Sequence, residues 1–96
     1  MIWHIVMWTL HDARDADHFR EALLSCSAIV PGIRQFEVGV RTDQMPASVD
    51  LCLLSSFDNE SALHAYLEHP QHLQISRALA PLRRERHVID FDSSRS

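Results

Sequence analysis

The segment that most constrains this chain lies at its start: Ile2-Trp3-His4-Ile5-Val6-Met7-Trp8-Thr9-Leu10. It is dense in β-branched and aromatic residues and ends at the polar break His11–Asp15, which predicts a strand. Successive strand residues point to opposite sides. One face therefore carries Ile2, His4, Val6, Trp8 and Leu10, and the other Trp3, Ile5, Met7 and Thr9. Both faces are mostly apolar, so water should wet neither. The fold has to supply a cover on each side.

The rest of the chain supplies one cover only. Ala16, Phe19, Leu23, Cys26 and Val30 recur at three- and four-residue steps, which predicts an amphipathic helix capped by Asp12 or Asp15 and stopped by Pro31-Gly32. Residues 33–41 alternate, with Phe36, Val38 and Val40 on one side and Gln35, Glu37 and Gly39 on the other, as a half-buried strand does. Thr42 to Ser48 reads as a hairpin-like connection or rim, and residues 49–57 as a third strand, apolar on both faces near its middle. Asp58-Asn59 offers a cap to a helix with Ala62, Leu63, Tyr66 and Leu67 on its inner side. His69-Pro70 breaks that helix, and proline at a first helical position starts another, with Leu73, Ser76, Leu79 and Ala80 as its inward stripe. Residues 86–92 form the last strand, and 93–96 a disordered polar tail.

The order β-α-β-β-α-α-β predicts an α+β, ferredoxin-like subunit: a four-stranded antiparallel sheet with its helices on one face. The opposite face is then an apolar patch larger than soluble monomers tolerate. A second copy is the simplest cover, because closed two-fold dimers are the commonest oligomers. The expected assembly is a homodimer.

Composition sets further bounds. Ninety-six residues make one domain, spanning 1–92. A net charge of −4 argues against a nucleic-acid partner, whose binders carry a basic face. The one basic cluster, Arg83-Arg84-Glu85-Arg86, includes an acid and reads as a solvated helix end, with an anion site as the lesser alternative. Cys26 and Cys52 lack both CxxC and metal-ligand spacing, so free thiols in a reducing, cytoplasmic compartment are expected. The apolar N-terminus is short and has no basic leader, and no run approaches a membrane span.

Chemistry singles out Tyr66, His69 and His72. The first two end one helix and the third lies in the first turn of the next, so all three can converge at the Pro70 corner. His4 joins them if its face looks toward the helices. A neutral imidazole can remove a proton alpha to a carbonyl. A phenol can hold the developing oxyanion. Such a group suits cofactor-free proton abstraction on a small, partly apolar carbonyl or phenolic compound. The plainer reading makes His69 a helix cap, His72 a core histidine bonded to a backbone carbonyl, and Tyr66 a core aromatic. Trp3 and Trp8 lie on opposite faces of the first strand, one for the subunit core and one for the dimer interface, with ligand stacking as the sharper alternative. His64, His69 and His72 are spaced five and three, which spreads them around a helix, so no metal is expected. Gly32 and Gly39 are the only glycines, too few for a phosphate loop. No cofactor is expected.

Several blocks resemble the stress-responsive A/B barrel (Dabb) family. They are Met1-Ile2-Trp3-His4-Ile5-Val6, Val30 to Gly39 with its Pro-Gly turn, Ser55-Ser56-Phe57-Asp58, Ala65-Tyr66-Leu67-Glu68-His69-Pro70-Gln71-His72-Leu73 and Val88-Ile89-Asp90-Phe91. They fall in family order over residues 1–92. The resemblance implies a ferredoxin-like subunit and a dimer whose sheets face each other as a barrel. One branch, similar to the plant olivetolic acid cyclase, closes a linear polyketide without a cofactor. By that resemblance Tyr66 and His72 would be catalytic and His4 would stand beside them. Leu51 and Leu23 stand where that branch has a polar His and Tyr, which implies a smaller or drier pocket. A non-catalytic, stress-associated interaction module and a cofactor-free monooxygenase of the antibiotic-biosynthesis type are the competing readings.

Overall fold

The computed structural model describes residues 1–94. Strand β1 (Ile2–Leu10) leads through a short turn of 3-10 helix at Ala13–Asp15 into helix α1 (Ala16–Leu24). There follow β2 (Ile33–Val40), β3 (Leu51–Phe57), α2 (Glu60–Glu68), α3 (Pro70–Leu79), a second 3-10 turn at Ala80–Leu82 and β4 (Arg83–Asp92). The four strands lie in the order β2-β3-β1-β4, and every neighbouring pair is antiparallel. This is the ferredoxin-like α+β arrangement expected from the pattern. Among the described residues no helix is long and apolar enough to cross a membrane.

Strand β1 keeps the alternation of its sequence. Ile2, His4, Val6, Trp8 and Leu10 are buried under the helices, while Trp3, Ile5 and Thr9 are half-buried and Met7 is exposed. Register carries that division across the sheet. His4 sits opposite Ser55 and Asp90, and Val6 opposite Leu53 and Val88. On the other face Trp3 sits opposite Ser56 and Phe91, and Ile5 opposite Leu54 and Ile89. Ile89 and Phe91 are exposed there.

Local chemistry sets the helix ends. The Asn59 side chain accepts from the Ala62 amide at 2.9 Å and caps α2. Pro70 opens α3 at the position where its missing amide costs nothing, and the His69 ring accepts from the Gln71 amide at 3.1 Å. Gly32, in the turn before β2, has φ +92°, and an added Cβ would meet the Ala62 Cβ at 2.9 Å. Only glycine meets both conditions without strain.

Three boundaries and one stripe differ from the sequence expectation. Helix α1 stops at Leu24 instead of running to Val30. Ser25 Oγ donates to the Ala22 carbonyl at 2.6 Å, and the Cys26 and Ser27 amides reach back three residues instead of four. Serine bonding to nearby backbone competes with the helix in this way. Cys26 is buried nonetheless. Strand β3 starts at Leu51 and not 49, because Asp50 is spent on the corner: its carboxylate accepts from the Leu10 amide at 2.7 Å and its amide donates to the Trp8 carbonyl at 2.9 Å. Strand β4 starts at Arg83 and not 86, so the basic cluster is strand and no helix end. In α3 the inward residues are His72, Ile75 and Leu79, whereas Leu73 and Ser76 are exposed. Of the tail, the Ser93 amide bonds the Met1 carbonyl at 3.1 Å and Ser94 bonds the Asp92 carboxylate; residues 95–96 lie outside the described part.

The core beneath the helices consists of two clusters. The larger holds Val6, Trp8, Phe19, Leu23, Leu53 and Leu79, and the smaller holds Ile2, Cys26, Phe57, Leu63 and Tyr66. His4 belongs to neither, although it is buried between them on β1. The seam between the clusters is where the chain places its polar chemistry.

Candidate functional site

A cavity of about 280 Å³ occupies that seam. Its walls take Val6, Trp8 and Leu53 from the sheet, Phe19 and Leu23 from α1, and Ile75 and Leu79 from α3. Into these apolar walls project His4, Tyr66, His72, Cys26 and, from β4, Arg83 and Arg86.

The Pro70 corner fixes two of these groups. Tyr66 ends α2 and His72 begins α3, and the corner stacks their rings with centroids 4.6 Å apart at 51°. Carbonyls near the end of a helix have no intrahelical partner. One of them, on Leu67, takes the His72 Nδ1–H at 3.1 Å, because the Gln71 amide that would otherwise reach it is bound to the His69 ring. His72 is thus held as the Nδ1–H tautomer, with its Nε2 lone pair unused.

His4 is fixed from the sheet. Its register partner Asp90 lies across the β1–β4 ladder, and the Asp90 carboxylate accepts from His4 Nδ1 at 2.5 Å. Here too the proton sits on Nδ1 and Nε2 is left over. The Ser55 hydroxyl donates to the His4 backbone carbonyl at 2.6 Å and pins the residue from the other neighbour. The His4 ring stands edge-on to Tyr66, with centroids 6.2 Å apart.

Among the described residues, no protein group bonds the Tyr66 hydroxyl, His4 Nε2 or His72 Nε2. No sealed-off side-chain nitrogen or oxygen among them lacks a partner. These three polar atoms therefore open onto accessible space, and the cavity is what their residues border.

Burial sets their protonation. It pushes the Tyr66 phenol well above its ordinary range, with a contribution from Cys26. It pulls the His72 imidazole below its ordinary value; the Leu67 carbonyl opposes this, and the charges of His4, Arg86 and His69 reinforce it. Both groups are neutral at pH 7, a proton donor beside a proton acceptor. Burial also raises the Cys26 thiol, so it is no thiolate nucleophile.

Of the residues singled out by sequence, Tyr66, His72, His4 and Trp8 border this cavity. His69 does not: its ring is committed to capping α3. Trp3 does not either, since strand parity turns it to the open sheet face. Trp8 packs edge-on against Phe19, with ring centroids 5.1 Å apart. Sequence reasoning missed Asp90, whose place opposite His4 follows only from the register, and it did not bring the Arg83–Arg86 cluster to this cavity. Among the described residues no three His, Cys, Asp or Glu side chains are grouped so as to hold a metal ion.

The chain is thus a ferredoxin-like α+β subunit with helices on one sheet face and a cavity bordered by His4, Tyr66 and His72 beneath them. The chain belongs to the Stress responsive A/B Barrel Domain (Dabb) family, whose profile matches residues 2–93. It is 31% identical to the uncharacterized protein SCO4036 of Streptomyces coelicolor over 77 residues, 75% of this chain and 79% of that protein. Among solved structures it resembles a dimeric protein of ferredoxin-like fold from Bacteroides fragilis, with TM-score 0.80 and 28% identity over 95% of this chain and 94% of that one. It also resembles a putative antibiotic biosynthesis monooxygenase from Nitrosomonas europaea, with TM-score 0.79 and 18% identity over 97% and 98% of the two chains. At that identity the second likeness concerns the fold alone.

Proposed function

We propose that this chain forms a homodimer through its open sheet face, and that each subunit's cavity binds a small, partly apolar carbonyl or phenolic compound and moves a proton on it without a cofactor. The observation that carries this reading is the set of three polar atoms, Tyr66 Oη, His72 Nε2 and His4 Nε2, opening onto one cavity with no protein partner among the described residues. In the proposed step, His72 Nε2 takes a proton from the carbon alpha to the carbonyl. The C–H electron pair becomes the enolate, whose oxygen accepts a hydrogen bond from the neutral Tyr66 phenol. The proton then returns to the same or a neighbouring carbon, or the enolate carbon attacks a second carbonyl. Asp90 holds the ring of His4 in place as a positioning residue.

The dimer draws support from the exposed Met7, Ile89 and Phe91 of the open face and from the dimeric state of the Bacteroides fragilis relative. The free thiols of Cys26 and Cys52 support a reducing, cytoplasmic setting.

Exchange of α-hydrogens for deuterium in a small aryl ketone, followed by NMR, tests the chemistry. The expected result is exchange above the buffer rate, falling about 10²-fold or more in His72→Ala and less in Tyr66→Phe. Exchange no faster than buffer, together with no ligand-dependent rise in melting temperature, would sink the reading in favour of a non-catalytic interaction module.

A further inference from the structure

The cavity is bordered by two cations that the proton-transfer reading leaves unused. Arg83 and Arg86 both border it, yet they are three residues apart on one strand, a spacing that normally sends side chains to opposite faces. The β1–β4 ladder explains how they share one. Trp8 pairs with Arg86 and Thr9 with Glu85, but Leu10 pairs with Arg83, so Arg84 is skipped. This bulge reverses the parity of the strand and turns Arg83 to the side of Trp8, Leu10 and the cavity. Bulges commonly re-aim a side chain beside a functional site.

Neither guanidinium is neutralised. Among the described residues no carboxylate lies within 4.0 Å of Arg83 or Arg86, whereas Arg14, Arg20, Arg34 and Arg41 each have an acidic partner. Asp90, whose charge acts on Arg86, is bonded to His4. Arg86 is near enough to His72 for its charge to favour the neutral imidazole. The two cations thus border the same small cavity as His4, His72, Tyr66, Cys26 and Ser76.

Building on the proton-transfer reading, we infer that the substrate is a carboxylic acid, its carboxylate held by Arg83 and Arg86, its carbonyl at Tyr66 and His72, and its apolar body against Phe19 and Leu23. Guanidinium forks match the two oxygens of a carboxylate. A phosphate would need further donors, and no glycine-rich backbone cradle borders this cavity. Such a group also fixes which carbon faces His72, because the distance from carboxylate to carbonyl selects oxo acids of one chain length.

The test compares 3-benzoylpropionate with its primary amide, which matches its shape without the charge, by calorimetric titration of the full-length protein. The carboxylate should bind about tenfold tighter or more. That preference should shrink several-fold in Arg83→Met or Arg86→Met, vanish in the double variant and return in part in Arg86→Lys, while affinity for the amide holds throughout. Both arginines lie on an edge strand, and melting curves check that the variants fold. Equal affinity for the two probes, or a preference that survives the double variant, overturns the carboxylate inference and leaves the pocket reading standing. Inorganic phosphate displacing 3-benzoylpropionate better than chloride at equal ionic strength overturns the choice of carboxylate. Binding of neither probe overturns the pocket reading, and the inference falls with it.

Discussion

Strand β1 presents the same kind of side chain to two different fates. Toward the helices, Val6, Trp8 and Leu10 are at most 6% exposed, and the one polar residue among them, His4, has both its ring and its backbone bonded. Toward the other side, Met7 is 42% exposed, and Ile89 and Phe91, opposite Ile5 and Trp3 on β4, are 57% and 42% exposed. Hydrophobicity alone does not distinguish the faces. What distinguishes them is that the chain carries helices for one side only. The closed face can therefore hold a cavity with defined polar atoms, while the open face is the one the proposed dimer would cover.

The largest test of that contrast is a matched pair of truncations. Phe19→Ala removes a fully buried ring packed on Trp8 and should cost about 3–5 kcal/mol in denaturant unfolding. Ile89→Ala on the open face should cost under about 1 kcal/mol when the protein is dilute and more when it is concentrated, because burial there depends on a partner. Equal costs at every concentration would mean that the faces are not different in kind.

A charge placed on the open face asks the converse. Ile5→Asp should leave the subunit folded but weaken self-association by about 2–4 kcal/mol, since the dimer would bury an unpaired carboxylate. Sedimentation velocity reads this as a shift from dimer to monomer at micromolar protein. A variant that stays dimeric, or a wild-type protein that sediments as a monomer, removes the open face as the interface.

The adjacent Ser55 and Ser56 make a smaller and finer comparison, because both are fully buried but point to opposite faces. Ser55 donates to the His4 carbonyl at 2.6 Å, and Ser56 to the Gln35 side chain at 3.2 Å. Ser55→Ala should cost about 1–2 kcal/mol and loosen His4, whereas Ser56→Ala should cost about half as much, as its partner can turn to water. Chemical denaturation of the two variants side by side decides it.

Much of this division was legible in the sequence because it rests on parity. Alternation along residues 2–10 and 33–40 assigned each side chain to a face, and the cap at Asn59 and the break at His69-Pro70 located two helices that the structure reproduces. Tyr66 and His72 were reachable through the corner at Pro70, whereas parity left open which face His4 would take. What stayed hidden depends on register between distant segments. Asp90 meets His4 only through the pairing of β1 with β4, and Arg83 reaches the cavity only because a bulge breaks the parity that sequence reading relies on. The stripe of α3 was misplaced by one residue, because the hydrophobic Leu73 outweighed His72 in the pattern while the corner at Pro70 turned His72 inward.

The smallest expected effect concerns pH. Burial holds the His72 imidazole below its ordinary value of 6.5 in the folded chain, so the folded protein keeps this ring neutral at pH values where the unfolded chain has begun to bind a proton. Where the unfolded state binds more protons, stability rises with pH. The contribution of His72 is therefore fully present above about pH 6.5 and is lost as pH falls from there toward the folded-state value. The groups facing this ring are His4, His69, Arg86 and Tyr66. Subtracting a variant that keeps them isolates His72. His72→Gln retains a donor for the Leu67 carbonyl and removes the titration. The melting temperature of the wild type minus that of His72→Gln should fall by about 1–3 °C between pH 7.5 and pH 5. A flat difference would mean that burial does not shift the ring, and one that grows as the solution becomes acidic would mean that the folded protein favours the protonated ring. In the second case the cavity of the closed face would hold a cation in place of its proposed base.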